Sequence, residues 1–313
     1  MSRVLRAFAA HDYSAEAVVA AKCGRTISVC LPARNEEATI AEVVGIIRAE
    51  LMDAHEVVDE LLVVDDGSTD RTAELAAAAG ATVLPAASIL PEYGTEHGKG
   101  QAMWRAVHVA SGDLIVFCDA DVRSFDPGYV LGLVGPLLDH DDLQVVKAFY
   151  DRPLDGRAGE GGRVTELMAR PVISMLFPHL GPLIQPLAGE LAGRRSTFES
   201  VPFVGGYGVD LALLIDISAR YGVSALAQSD LGTRVHRNRS LSELGAQAVS
   251  ILQVALQRSG ATGTATGLPW TTVLQRPGPT AVPVTMTERP ALAGIERRPA
   301  LSSGAGGGVR PAR

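Results

Sequence analysis

The chain has 313 residues, with 28 Lys and Arg against 35 Asp and Glu, and its formal net charge of −7 argues against a broad nucleic-acid surface. That length suits one large α/β domain with extensions or two modest domains, either with a sizeable core. Cys23, Cys30 and Cys118 lack metal-ligand spacing and read as reduced packing residues; neither a sustained apolar leader nor an unbroken apolar run of membrane-spanning length occurs, so a cytoplasmic protein without a membrane span is expected.

Residues 14–22 predict a short helix capped by Ser14 and ending before Gly24, within an N-terminal extension over 1–23. A first strand over 26–31 runs into Pro32-Ala33-Arg34-Asn35-Glu36-Glu37, after which Ile40, Val43, Val44 and Ile47 recur at helical spacing. A second strand, Leu61 to Val64, ends in Asp65-Asp66-Gly67-Ser68-Thr69-Asp70, followed by helix formers from Thr72 to Ala79 closed by Gly80. A short strand over 82–84 leads through a loop to Gly98-Lys99-Gly100 and a helix to Ala110. The apolar run Leu114 to Cys118 reads as a buried strand that ends in Asp119-Ala120-Asp121. Strands alternating with helices specify a mostly parallel sheet flanked by helices, a Rossmann-like α/β fold whose strand-end loops converge on one edge.

Beyond that edge, Asp126-Pro127 opens a helix to about Leu138, and 143–150 reads as a further strand that completes a nucleotide-binding half over 24–150. A smaller C-terminal part over 151–258 begins with a polar, Gly-rich loop and a helix starting near Arg163, where backbone N–H groups suit an anion. A loop over 201–208, a helix over 209–220 and a helix from Leu241 to about Gln257 follow. Residues 259–313, rich in Gly, Thr, Pro and Ala, are expected to be a mostly disordered tail, with Trp270 its best anchor, and activity is expected to survive truncation near residue 260.

Each polar loop has a plain explanation when taken alone. Asp-Asp-Gly-Ser-Thr-Asp is ordinary turn and capping chemistry, and Lys99 between glycines lacks the spacing of a P-loop. Their order is harder to dismiss. Three strand-end loops carrying carboxylates and one basic Gly loop fall on one edge, where ligands of open α/β sheets bind, and paired hard oxygen donors there suit a divalent cation carrying diphosphate.

On Pro32 to Glu36, Val64 to Asp70 and Asp119-Ala120-Asp121, the chain resembles the nucleotide-sugar glycosyltransferases of GT-A fold. Within them, Gly162-Arg163-Val164-Thr165-Glu166-Leu167, Gly205-Gly206-Tyr207-Gly208-Val209 and Arg234-Val235-His236-Arg237-Asn238-Arg239 look like the glucosyl-3-phosphoglycerate synthases, over about Gly24 to Ser259. The resemblance implies retaining transfer of glucose from UDP-glucose to 3-phosphoglycerate, a first step toward a methylglucose polysaccharide. A homodimer is expected. The alternatives are a mannosyl-3-phosphoglycerate synthase, another GT-A sugar transferase, or a nucleotide-sugar-binding protein without catalysis.

Carried onto this sequence, the resemblance puts Pro32, Ala33, Arg34 and Glu36 around the uridine, with Asp66 near its base or ribose. Lys99, Asp119 and Ala120 would contact the donor, and Tyr207, Gly208, Val209, Asp210 and Arg234 would surround its glucose. Asp121 and His236 would ligate Mg2+ or Mn2+; Gly162, Arg163, Val164, Thr165 and Asn238 would bind the acceptor. Lys99, Asp121 and Asp210 are the expected catalytic residues. One position departs: the family motif has glutamate where Asp210 stands, and aspartate is one methylene shorter.

Overall fold

A computed structural model describes residues 5–151, 162–234, 241–260, 270–274 and 282–297. Its strands are β1 (Arg6–Ala9), β2 (Ile27–Ala33), β3 (Glu60–Asp65), β4 (Thr82–Pro85), β5 (Leu114–Phe117), β6 (Val145–Asp151), β7 (Leu191–Arg194), β8 (Phe203–Val204), β9 (Leu226–Thr233), β10 (Trp270–Leu274), β11 (Val282–Met286) and β12 (Glu288–Arg289). The α-helices are α1 (Ala15–Lys22), α2 (Ile40–Ile46), α3 (Thr72–Ala78), α4 (Lys99–Val109), α5 (Gly128–Asp139), α6 (Arg170–Leu176), α7 (Arg195–Glu199), α8 (Val209–Tyr221) and α9 (Leu241–Ser259).

Eight strands form one sheet in the order β1-β9-β6-β7-β5-β2-β3-β4. Every neighbouring pair is parallel except those of β7, which runs antiparallel to both β5 and β6. This is the expected mostly parallel α/β sheet. β3 and β5 are apolar along most of their length because both faces are covered. Alternate residues point to opposite faces: Cys30, Leu62, Val64, Ile115 and Phe117 join α4 and α8 in one core, while Val29, Leu31, Val63 and Val116 join α2 and α5 in the other. Cys30 and Cys118 are buried packing residues, whereas Cys23 is exposed at the end of α1. Ser14 caps α1 as predicted, accepting from the Ala17 N–H at 3.2 Å. Among the described residues, no helix is long and apolar enough to cross a membrane.

Three differences from the sequence expectations have physical causes. β1, β7 and β9 carry weak apolar patterns: β9 buries Gln228 and Ser229, and β7 is built on Ala192 and Gly193, so neither shows a hydrophobic run. The sheet also draws β7 and β9 from beyond residue 150, so the segments 24–150 and 151–258 share one sheet. Finally, the described parts of the expected tail are folded. β10 and β11 pair antiparallel, β12 pairs with β8, and Met286 and Leu292 are buried in the α4/α8 core, against which Trp270 also packs. The Trp104 indole N–H donates to the Pro290 carbonyl at 2.8 Å. A count of apolar residues missed this because a few side chains and one short strand complete surfaces that the body leaves open.

Candidate active site

The parallel register brings the carboxyl ends of β2, β3 and β5 to one edge, and their loops lock together there. Asn35, in a left-handed conformation at φ 57°, accepts from the Thr69 N–H at 2.8 Å, while its own N–H donates to Ser68 Oγ at 3.0 Å. The Glu36 N–H donates to Thr72 Oγ1 at 2.7 Å. The capping residues of the acidic loop therefore brace the Pro32–Glu36 loop and leave Asp66 to its own partners. Asp66 is buried, accepts from the Gly98 N–H at 2.7 Å, lies 3.2 Å from His97 Nδ1 and has Arg34 at 3.9 Å. Burial raises its pKa, opposed by the Gly98 N–H and His97. Glycine is required at 98: φ is +138°, and a Cβ would come within 2.9 Å of the Gly206 nitrogen.

Behind this rim lies a chain of buried charges that alternate in sign. Lys147, in the middle of β6, donates to Asp210 Oδ1 at 2.7 Å, and the other Asp210 oxygen lies 3.5 Å from Lys99 Nζ. Lys99, at the start of α4, donates to Asp119 Oδ1 at 3.0 Å. Arg234, just after β9, donates to Asp119 Oδ2 at 3.0 Å and Asp121 Oδ1 at 2.9 Å through one nitrogen. Its other terminal nitrogen reaches the Tyr150 hydroxyl at 2.7 Å and Glu190 Oε1 at 2.7 Å. The Tyr150 hydroxyl donates in turn to Glu190 Oε2 at 2.8 Å. Burial lowers the Lys99 pKa, but Asp119 and Asp210 outweigh it and the ammonium is held above its ordinary value. Burial likewise raises Asp119, but Lys99 and Arg234 hold it well below the usual carboxylate range. For Lys147, burial wins over Asp210 and the pKa falls.

These groups open onto a cleft of about 470 Å³. Of the residues expected around the donor, Pro32, Ala33, Arg34, Glu36, Asp66, Lys99, Asp119, Ala120, Tyr207, Asp210 and Arg234 line it, as do Asp121 and the acceptor segment Gly162 to Thr165. Gly208 and Val209 do not: both are buried behind Tyr207, and Val209 is a core residue at the start of α8. His236 and Asn238 lie outside the described residues. Leu187, Leu244, Gln247 and Ile251 add to the wall, as do His97, Gly98, Ala102 and Gly189.

Lys147, Tyr150, Glu190 and His97 were not anticipated. The first and third carried a signal, because a charge inside an apolar strand (Val145 to Tyr150) or between Gly189 and Leu191 must be paired when buried. Gly189 permits the close approach: a Cβ there would come within 2.0 Å of Asp119 Oδ2.

The carboxylates at the cleft differ in their fitness for a divalent cation. Asp119 has both oxygens committed, to Lys99 and Arg234. Asp121 is different: among the described residues its bonded partner is Arg234, through Oδ1, and the side chain is 34% exposed at the cleft. Along the chain of charges, three cations (Lys147, Lys99, Arg234) face four carboxylates (Asp210, Asp119, Asp121, Glu190), so the surplus is negative. Among the described residues, no group of three His, Cys, Asp or Glu could hold a metal. Asp121, a carboxylate exposed to the cleft, fits as one oxygen ligand of a hard cation.

Comparison with known proteins gives a consistent picture. Residues 28–199 match the family model described as glycosyl transferase family 2. The glucosyl-3-phosphoglycerate synthase of Mycobacterium tuberculosis is 49% identical over 256 residues, 80% of this chain and 78% of that protein. A crystal structure of the M. tuberculosis enzyme with Mn2+, UDP-glucose and phosphoglyceric acid superposes with a TM-score of 0.81 at 41% identity, covering 93% of this chain and 99% of that one. The mannosyl-3-phosphoglycerate synthase of Rubrobacter xylanophilus superposes with a TM-score of 0.84 at 35% identity, covering 93% and 98%.

Proposed function

The chain belongs to glycosyl transferase family 2, and we propose that it is a Mg2+- or Mn2+-dependent synthase that transfers glucose from UDP-glucose to 3-phosphoglycerate with retention at the anomeric carbon. The observation that carries this reading is that one cleft gathers the Asp119-Ala120-Asp121 loop, Lys99, and the Gly162–Thr165 helix start. In structural superposition the identity is 41% to the M. tuberculosis glucosyl enzyme and 35% to the R. xylanophilus mannosyl enzyme, which supports glucose as the donor sugar. A donor panel tests it: UDP-glucose should turn over much faster than GDP-mannose with the same acceptor, and the reverse order would assign the mannosyl reaction.

In this reading Pro32, Ala33, Arg34, Glu36 and Asp66 hold the uridine, and Asp119 and Ala120 lie beside its diphosphate. A cation held by Asp121 and His236 would neutralise the departing diphosphate as a Lewis acid. Lys99 remains an ammonium because two carboxylates flank it, and it adds charge stabilisation to the same leaving group. Asp210 is a poor covalent nucleophile, since both of its oxygens face ammonium groups. Attack by the acceptor hydroxyl from the face the diphosphate leaves, with the hydroxyl proton passing to a departing diphosphate oxygen as the C1–O bond to UDP breaks, accounts for retention without an enzyme-bound sugar.

The acceptor is trianionic, and Arg163 at a helix start supplies a bidentate cation for it, aided by Gly162, Val164, Thr165 and Asn238. Arg163→Ala should raise KM for 3-phosphoglycerate about tenfold or more, the worth of a charge-assisted contact, and leave KM for UDP-glucose nearly unchanged. Equal losses for both substrates in steady-state kinetics would remove Arg163 from the acceptor site.

The working form is proposed to be a cytoplasmic homodimer. Leu167 and Met175 stand 78% and 79% exposed on one helical segment, large apolar side chains of the kind that pair with a second copy. The double variant Leu167→Glu/Met175→Glu should halve the mass measured by light scattering. An unchanged mass would place any interface elsewhere.

A further inference from the structure

Lys147 touches no part of the cleft, yet it decides how the charges that line the cleft are shared. Its side chain is 1% exposed, and its ammonium gives its short bond, 2.7 Å, to Asp210 Oδ1. Asp210 is thereby held toward β6, and its second oxygen stays at a loose 3.5 Å from Lys99. Lys99 spends its closer contact, 3.0 Å, on Asp119 at the cleft. Two ammonium groups face one buried carboxylate, and Lys147 makes the closer contact. Without Lys147 the nearest cation for Asp210 is Lys99, and an unpaired buried carboxylate strongly recruits whatever cation can reach it.

Resting on the proposed donor, we propose that Lys147 is a positioning residue: by occupying Asp210 it keeps the Lys99 ammonium turned to the cleft, free to meet the diphosphate of the nucleotide. Removing Lys147 lets Asp210 draw Lys99 back, so that the diphosphate loses a cation although no residue it touches has changed. Removing the Asp210 charge as well abolishes the pull and returns Lys99 to the cleft.

The prediction is specific to the diphosphate. Calorimetry with UDP and with uridine, at a fixed Mg2+ concentration, compares the full-length chain with Lys147→Met and Lys147→Met/Asp210→Asn. UDP is the probe because it lacks the sugar that Asp210 is expected to face. Lys147→Met should weaken UDP binding by about tenfold, the size of one charge-assisted contact, with uridine binding unchanged, and the double variant should recover most of the loss. Should Lys147→Met fail to fold, Lys147→Gln keeps a hydrogen-bond donor without the charge, and the same pattern is expected. A parallel loss of uridine and UDP binding, or a double variant no better than the single one, would overturn the inference by showing a merely structural role. A wild-type chain that binds UDP no better than uridine would instead overturn the donor reading, and this inference with it.

Discussion

Arg234→Ala should cost the chain about 3–5 kcal/mol of stability and abolish measurable turnover. The guanidinium is 3% exposed and is the partner of three carboxylates, Asp119, Asp121 and the fully buried Glu190, as well as of the Tyr150 hydroxyl and its ring, 5.4 Å away. Alanine leaves Glu190 in the core without its cation. Among the described residues, it also leaves Asp119 bonded to Lys99 and removes the cation bonded to Asp121. For a chain of 313 residues that loss corresponds to a fall in Tm of about 5–8 °C. Arg234→Lys should recover little, because one ammonium cannot serve the Asp119/Asp121 pair and the Glu190/Tyr150 pair at once, as the planar fork does. Calorimetry and initial rates measure both effects, and a variant that melts within 2 °C of the parent and turns over would show that the network is dispensable. The pH dependence follows in sign. Asp119 has a depressed folded pKa, so its contribution is present above the ordinary carboxylate value of about 4 and is lost only as pH falls through the lower folded value. The network should hold throughout the neutral range.

Ending the chain at residue 260 should be nearly as damaging, the reverse of what composition suggests. The cut removes Met286 and Leu292 from the α4/α8 core, each worth about 1.5–3 kcal/mol of burial. It strands the Trp104 indole N–H, at about 1–3 kcal/mol more. It also removes Arg289, which bonds Gln101, the Tyr93 carbonyl and Glu96 and so anchors the loop whose His97 and Gly98 cap Asp66. The total approaches the whole stability of an ordinary domain. A 1–260 fragment should therefore be poorly soluble or melt at least 10 °C lower, with UDP-glucose binding weakened more than acceptor binding, whereas a 1–297 fragment should match the full chain. Equal melting temperatures and rates for 1–260 and the full chain would contradict this.

The central sheet edge was legible in the sequence because its signals are local. Apolar runs that stop abruptly in Asp65-Asp66 and Asp119-Ala120-Asp121 mark buried parallel strands, and parallel topology alone puts their ends together. The interior of the site was not legible. Lys147 and Tyr150 lie on β6 and Glu190 just before β7, and the pairing of Tyr150 and Glu190 with Arg234 depends on β7 and β9, whose small and polar residues give no strand pattern. The role of Arg234 was visible only as a basic residue near the donor, whereas its place is that of a buried hub. The C-terminal strands were missed for a related reason: β12 is two residues long and gains its stability from α4 and β8, not from its own composition.

The most direct test is to incubate the full-length chain with UDP-glucose, 3-phosphoglycerate and Mg2+ or Mn2+, and to determine the mass and anomeric configuration of the product by mass spectrometry and NMR. The expected result is a metal-dependent α-linked glucosyl-3-phosphoglycerate, abolished by chelation. A β-linked product, an undiminished rate after chelation, or no glycosylated phosphoglycerate at all would contradict the account.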